Sequence, residues 1–248
     1  MSVIYILWLR ELKRYVRSRS QLIASLGQPL LYLIALGFGM GPVFEQAGRG
    51  NYIQFVAPGV IAMTILFSSV FSGMGLLWDR QFGFLKETLV APVPRIQIMI
   101  GRTLGAATVA VIQGLLVAIV CFLVGFRVVN WKLLPLAILF MGLIACLFAS
   151  LGTAIGSVLQ NFQGFQLIMS FVVMPIFFLS GALYPLDNLP KAFRVVTNLD
   201  PLAYGVDALR TTLIGRTYFG ATLDVIVLVA VSGVLLAVGR HLFSRIQI

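Results

Sequence analysis

From Leu133 to Leu186 the chain carries no Asp, Glu, Lys, Arg or His. At about 1.5 Å of rise per residue, one helix of that length would far exceed the ~30 Å hydrocarbon core of a bilayer. The run must therefore fold back on itself. The polar patch QNFQGFQ at residues 160–166 is where a turn meets water at least cost, so two membrane-crossing helices joined there are predicted. Composition agrees: hydrophobic residues make up 60% of the chain and charged residues 10%, against about 45–50% and about 25% in soluble domains. Mean hydropathy is +1.01.

The same reasoning gives an all-α polytopic membrane protein with six spans, near residues 22–42, 55–77, 103–126, 133–156, 166–184 and 220–240. The sixth is the least regular, with Asp224 near its start and Arg240, His241 and Arg245 placed to snorkel at its end. Trp8, Trp78 and Trp131 fall at span boundaries, where indole prefers to sit. With both termini inside, the inner side holds Arg10, Lys13, Arg14, Arg17, Arg19, Arg80, Lys86, Arg95, Arg102, Arg240 and Arg245, eleven of the eighteen basic residues. Arg49, Arg127, Lys132, Lys191, Arg194, Arg210 and Arg216 stay outside, which favours this orientation. The net charge of +10 then reads as topology and contact with anionic lipid rather than nucleic-acid binding.

Residues 1–20 segregate an apolar from a basic face and predict a helix lying in the membrane interface. An uncleaved segment is expected, because the basic residues follow the first apolar cluster and no AxA-like site follows the first span. Between the last two spans, residues 185–219 predict two short helices half-inserted in the outer leaflet. They begin at Pro190 and Pro201, the second after Asp200 as N-cap, with Asp207 and Arg210 paired at i, i+3. Three GxxxG spacings, Gly37/Gly41, Gly101/Gly105 and Gly152/Gly156, allow close helix approach within one subunit or between two. Cys121 and Cys146 lie inside spans and read as packing residues.

No ionisable group falls inside the first five spans, which argues against a proton-driven carrier or a voltage sensor. His241 has no acidic partner nearby, no His/Cys/Asp/Glu cluster has metal-ligand spacing, and no GxxxxGK[ST] phosphate loop occurs. Neither catalytic nor metal residues are expected, and any ATP chemistry must come from another chain. The inner segment DRQFGFLKETLVAPVPR, residues 79–95, is the only inner loop long enough to receive such work. Asp79 is placed to cap a helix with Phe82, Leu85 and Leu89 on one face and Arg80, Gln81, Lys86 and Glu87 on others, stopped by Pro92 and Pro94. On pattern alone, a solvated connector fits equally well.

Several segments together resemble the membrane subunits of ABC-2-type ABC transporters. FVAPGVIAM, residues 55–63, is similar to the motif opening that family's second span. Residues 79–95 resemble its coupling helix. SGALYPLDNLP and NLDPLAYGVDALR resemble its signature around the fifth span and outer helices, with Asp200, Pro201, Tyr204, Asp207 and Arg210 inside it.

The resemblance implies a bacterial cytoplasmic-membrane exporter subunit, paired with a second copy or paralogue above two separate ATPase subunits that carry ATP and Mg. It assigns Asp79, Arg80, Phe82, Leu85, Lys86 and Glu87 to ATPase contact, with Gln160, Asn161 and Gln163 as a smaller second contact. A substrate path between subunits would include Phe67, Phe71, Phe171, Phe177 and Phe178. The spans lack the dense aromatic and polar groups of a continuous sugar channel, so an amphipathic drug or lipid-like or glycolipid substrate is expected. An anchoring or assembly subunit that recruits an ATPase without passing substrate is the alternative.

Overall fold

The computed structural model describes residues 2–48, 50–84, 93–186 and 190–244. Among these residues there is no strand, and six helices are long and apolar enough to cross a membrane. In chain order the elements are α1 (Val3–Arg17), α2 (Arg19–Gln46), α3 (Tyr52–Gln81), α4 (Arg95–Val124) and, after a 3-10 turn at Trp131–Leu133, α5 (Leu134–Val158). Then follow α6 (Phe162–Leu179), α7 (Lys191–Leu199), α8 (Pro201–Ile214) and α9 (Ala221–Ser244). The spans are α2, α3, α4, α5, α6 and α9.

Local chemistry sets the ends. Asn51, Asn161 and Asp200 each accept a backbone N–H at 2.8 Å to open α3, α6 and α8, satisfying donors that a helix start leaves orphaned. Gly125 and Gly215, at φ 116° and 70°, close α4 and α8 in the left-handed region that glycine enters freely. Within α6, Pro175 has no N–H to return to the preceding turn, and a π turn at Met169–Val173 lies just before it. The turn predicted at residues 160–166 falls between α5 and α6, with α6 starting earlier than residue 166.

α3 is the hub of the bundle. It crosses α5 where Gly73, Gly152 and Gly156 let two backbones touch: a Cβ on Gly152 would lie 2.6 Å from the Val70 carbonyl, and one on Gly156 2.5 Å from that of Gly73. α1 lies along α4 over Gly101 and Gly105, whose added Cβ atoms would come within 3.0 Å of the Ile4 carbonyl and 2.8 Å of Glu11 Cβ. Two of the three GxxxG spacings thus serve packing within the chain. Gly37 faces Ile53, and a Cβ on Gly41 would meet nothing within 4 Å.

The α8 end departs from expectation. Leu202 through Arg210, with Thr212 and Leu213, are all buried, because α8 packs against α3, α5 and α9. It is enclosed by protein rather than half-inserted in a leaflet. α7, by contrast, leaves Phe193, Val195, Val196 and Leu199 exposed.

Candidate functional site

At the end of the bundle where α1, α3 and α4 converge, one carboxylate holds three helices. Asp79 accepts from Arg10 at 2.5 Å and is paired with Arg102. The side chains of Asp79 and Arg102 are each 10% exposed, while that of Arg10 is 37% exposed. Trp8 adds a second tie from α1 to α4, donating its indole N–H to Thr108 Oγ1 at 3.0 Å. The next residue on α3, Arg80, donates to the carbonyls of Leu159 at 2.8 Å and Ser157 at 3.1 Å. These are orphaned acceptors at the C-terminus of α5, where a cation also meets the negative end of the helix dipole. The foot of the segment that follows α3 is thereby fastened to α1, α4 and α5.

This arrangement corrects the sequence reading of Asp79. It does not cap a helix start or face outward for a partner; it lies in the last turn of α3 and is buried. Arg102 explains the change. α4 starts at Arg95 rather than near residue 103, so a buried guanidinium sits on the helix beside α3 and needs a counter-charge. Phe82 is 63% exposed and stacks on Trp78 with centroids 5.5 Å apart. Leu85, Lys86 and Glu87 lie outside the described residues. Gln160, Asn161 and Gln163 are exposed and close to Arg80's foot, since Leu159 is Arg80's partner and Phe162 packs on Trp78 at 4.9 Å. The described start of the first segment assigned to ATPase contact, Asp79 to Phe82, therefore lies at the same end of the molecule as the second.

Above the seam, α1, α2, α3 and α4 surround a cavity of about 570 Å³. Its walls mix Phe67, Phe71, Met63 and Trp78 with Gln28, Thr64, Ser68 and Gln113, and a Glu11–Arg14 ion pair at 3.1 Å stands on its α1 side. Of the aromatic residues expected along a substrate path, Phe67 and Phe71 line this cavity. Phe171 and Phe178 are 77% and 46% exposed. Phe177 is not on any open surface: it is fully buried against Tyr32, Phe67 and Phe178, because its face of α6 turns into the protomer.

At the opposite end, the loop after α6 is locked by α8. Arg210 donates to the carbonyls of Gly181 and Ala182 at 2.8 and 3.1 Å, and its guanidinium lies 3.9 Å from the centre of the Phe55 ring. Asp207 instead accepts the amides of Tyr218 and Phe219 at 2.8 and 2.7 Å. The predicted i, i+3 pair is thus split between two loops, each with backbone groups to satisfy. Pro201 opens α8 behind the Asp200 cap, and Tyr204 stacks on Phe219 at 4.4 Å. Burial raises the Asp200 carboxyl to about 7, opposed by its capping bond from Leu202.

Sequence reasoning missed Arg10 and Arg102 as partners of Asp79, and the uncharged polar wall of the cavity. The available signal for the wall was two glutamines, Gln28 and Gln113, inside otherwise apolar stretches. No comparable signal pairs residues 10, 79 and 102, which are distant in sequence.

Fold and site together define a multi-pass helical membrane protein whose polar elements, among the described residues, gather at the bundle ends and around a half-open cavity. The family model of the ABC-2 type transporter matches residues 2–214, and the chain belongs to that family. It is 28% identical over 211 residues to nodulation protein J of Rhizobium leguminosarum bv. viciae, covering 84% of this chain and 81% of that protein. It is 29% identical over 212 residues to the inner membrane transport permease YadH of Escherichia coli strain K12, covering 84% and 82%. The chain is a transport permease and a multi-pass inner-membrane protein. Family membership implies an ABC ATPase partner.

Proposed function

We propose that this chain is the membrane half of an ATP-driven exporter that moves an amphipathic drug or a lipid-like or glycolipid substrate out of the cytoplasm or inner leaflet. Two copies, or one copy and a paralogue, sit above two separate ATPase subunits, which carry ATP and Mg. Both termini and the 79–95 segment face the cytoplasm, with α1 along the interface. The single observation that carries this reading is the seam at residues 79 and 80. A displacement delivered to the segment after α3 reaches α1 and α4 through Asp79 and α5 through Arg80. Such a foot suits a permease driven from outside, since packed elements with discrete arrangements carry a local push over distance.

The test is reconstitution of the permease with its ATPase in proteoliposomes. Leu85→Pro, which breaks any helix over that segment, is expected to abolish ATP-dependent efflux. Changes at Phe82 or Glu87 are expected to lower efflux while the complex still assembles. Efflux that survives Leu85→Pro would sink the coupling assignment, and a complex that assembles and hydrolyses ATP without moving any substrate would favour an anchoring subunit.

A further inference from the structure

The fifth span, α6, changes pitch partway along. Its Met174 N–H reaches back to the Met169 carbonyl, five residues instead of four, so the π turn at Met169–Val173 holds one residue more than an α turn. Pro175 follows and has no N–H to give that turn in either pitch, so few bonds hold the joint. Both ends of the helix are fixed. Asn161 caps the start, and Phe165 and Met169 are buried. At the other end Thr197 Oγ1 donates to the Leu179 carbonyl at 2.9 Å, and the Ser180 and Tyr184 hydroxyls donate to those of Phe177 and Phe178 at 2.7 Å. Arg210 holds the Gly181 and Ala182 carbonyls beyond them. A surplus residue between fixed ends cannot leave, but it can travel.

We propose that α6 is a register switch: the surplus residue moves from Met169–Val173 to the turn before Ser180, and Met174 to Phe178 advance by one place. At 3.6 residues per turn, each of them rotates by about 100° and rises by about 1.5 Å. Phe177 comes to the place Phe178 holds now, and Ile176 to that of Phe177. The bonding places stay filled. The Ser180 N–H, now on the Ile176 carbonyl at 3.1 Å, meets that of Pro175 five residues back, and the Ser180 and Tyr184 hydroxyls meet those of Ile176 and Phe177. The segment MPIFFL is apolar throughout, so both registers turn an apolar side chain inward and offer another to lipid. Two packings that differ so little make an element bistable.

Which side chain fills the inner place matters to the cavity. Phe177 is fully buried, with its ring centroid 6.0 Å from that of Tyr32 on α2 and 5.9 Å from that of Phe67 on α3. Phe67 is a wall of the cavity. Ile176 is smaller and brings no ring, so in the second register Phe67 loses its backing, and the wall loosens towards the face where Phe171 and Phe178 are exposed. The inference rests on the permease reading and gives the exporter a side gate within one protomer, worked by turning five residues of one helix.

The test places para-fluorophenylalanine at Phe177 or at Phe178 in the permease–ATPase complex in nanodiscs. Fluorine NMR reads the relaxation caused by lipid carrying a nitroxide on its tail, without nucleotide and after trapping with ATP and vanadate. At rest the ring at Phe177 is shielded and the ring at Phe178 relaxes strongly. Trapping is expected to raise Phe177 to the level Phe178 shows at rest. Deleting Val172, which is exposed on the π turn, removes the surplus residue and leaves nothing to travel. That variant is expected to bind its ATPase and hydrolyse ATP, to keep Phe177 shielded on trapping, and to lose efflux in proteoliposomes.

If Phe177 stays shielded in a trapped complex that exports, the switch is overturned and the permease reading stands. A joint rise at Phe177 and Phe178 shows α6 moving as a rigid body and overturns the switch, as does undiminished efflux by the Val172 deletion. Should the deletion variant fail to fold, the exchange between Phe177 and Phe178 in the full chain decides alone. A chain that engages no ATPase and moves no substrate ends the permease reading, and the gate with it.

Discussion

Asp79 is a short side chain that fixes the relative positions of α1, α3 and α4, and the two arginines on it are not equivalent. Arg102 is 10% exposed and Arg10 37%. Removing one member of a buried ion pair leaves an uncompensated charge, at a cost of about 3–5 kcal/mol, whereas a pair open to solvent is worth at most about 1 kcal/mol. Asp79→Asn is therefore expected to lower stability in detergent thermal unfolding several times more than Arg10→Gln; equal losses would contradict the buried role of Arg102. Asp200 gives a pH dependence. Its ordinary value is 3.8 and burial raises it to about 7. Between those values the folded chain holds a proton that the unfolded chain releases, so stability falls as pH rises through this window and levels off above about 7. Asp200→Asn keeps a capping oxygen for Leu202 and removes that slope, which unfolding measured across the same window checks. The cap was legible in the sequence because it acts on an amide two residues ahead. The partners of Asp79, Asp207 and Arg210 were not, because neighbouring helices and loops choose them.

At the scale of elements, apolar length was enough to find the spans, since a helix is the economical way to satisfy a backbone in lipid. Spacing alone did not say what each glycine pair approaches. A GxxxG spacing creates a groove, and the occupant comes from elsewhere: α3 fills that of Gly152/Gly156 and α1 that of Gly101/Gly105. The crossing at Gly73 has no room for a methyl group, because a Cβ there would run into the Gly152 carbonyl, which belongs to rigid backbone. Gly73→Ala is expected to cost at least about 1–3 kcal/mol, the range for overpacking a tight interior, and to reduce the folded yield. Gly41→Ala meets nothing within 4 Å and is expected to leave protomer stability unchanged or slightly raised, as Ala is the better helix former. Side-by-side thermal unfolding of the two variants separates a filled groove from an open one. α8 shows a further limit: its short length and charged residues suggested a surface helix, yet Asp207 and Arg210 become buried because adjoining loops supply backbone partners.

Across the whole molecule, burial is uneven in a way that bears on transport. The apolar window of α3 is 72% buried, those of α2 and α9 17% and that of α6 22%, so one helix forms an axis and three present most of their surface outward. On the proposed assembly, α2 and α6 are free to face a second subunit while α3 stays fixed to α5. A push arriving below α3 then moves the axis helix together with whatever is fastened to its foot. Arg80 is the fastening to α5, through carbonyls at 2.8 and 3.1 Å, and hydrogen bonds from a charged donor contribute about 1.5–3 kcal/mol. Arg80→Met keeps much of the apolar stem and removes those bonds. The expected result is a complex that still binds its ATPase and hydrolyses ATP but moves about tenfold less substrate per ATP, the change that roughly 1.4 kcal/mol of lost coupling produces. Rescue by Arg80→Lys should be incomplete, because a single ammonium cannot hold two carbonyls with the fixed fork of a guanidinium. Parallel loss of hydrolysis and transport would instead place Arg80 in the docking of the ATPase, so the ratio of the two rates in proteoliposomes is the quantity that decides.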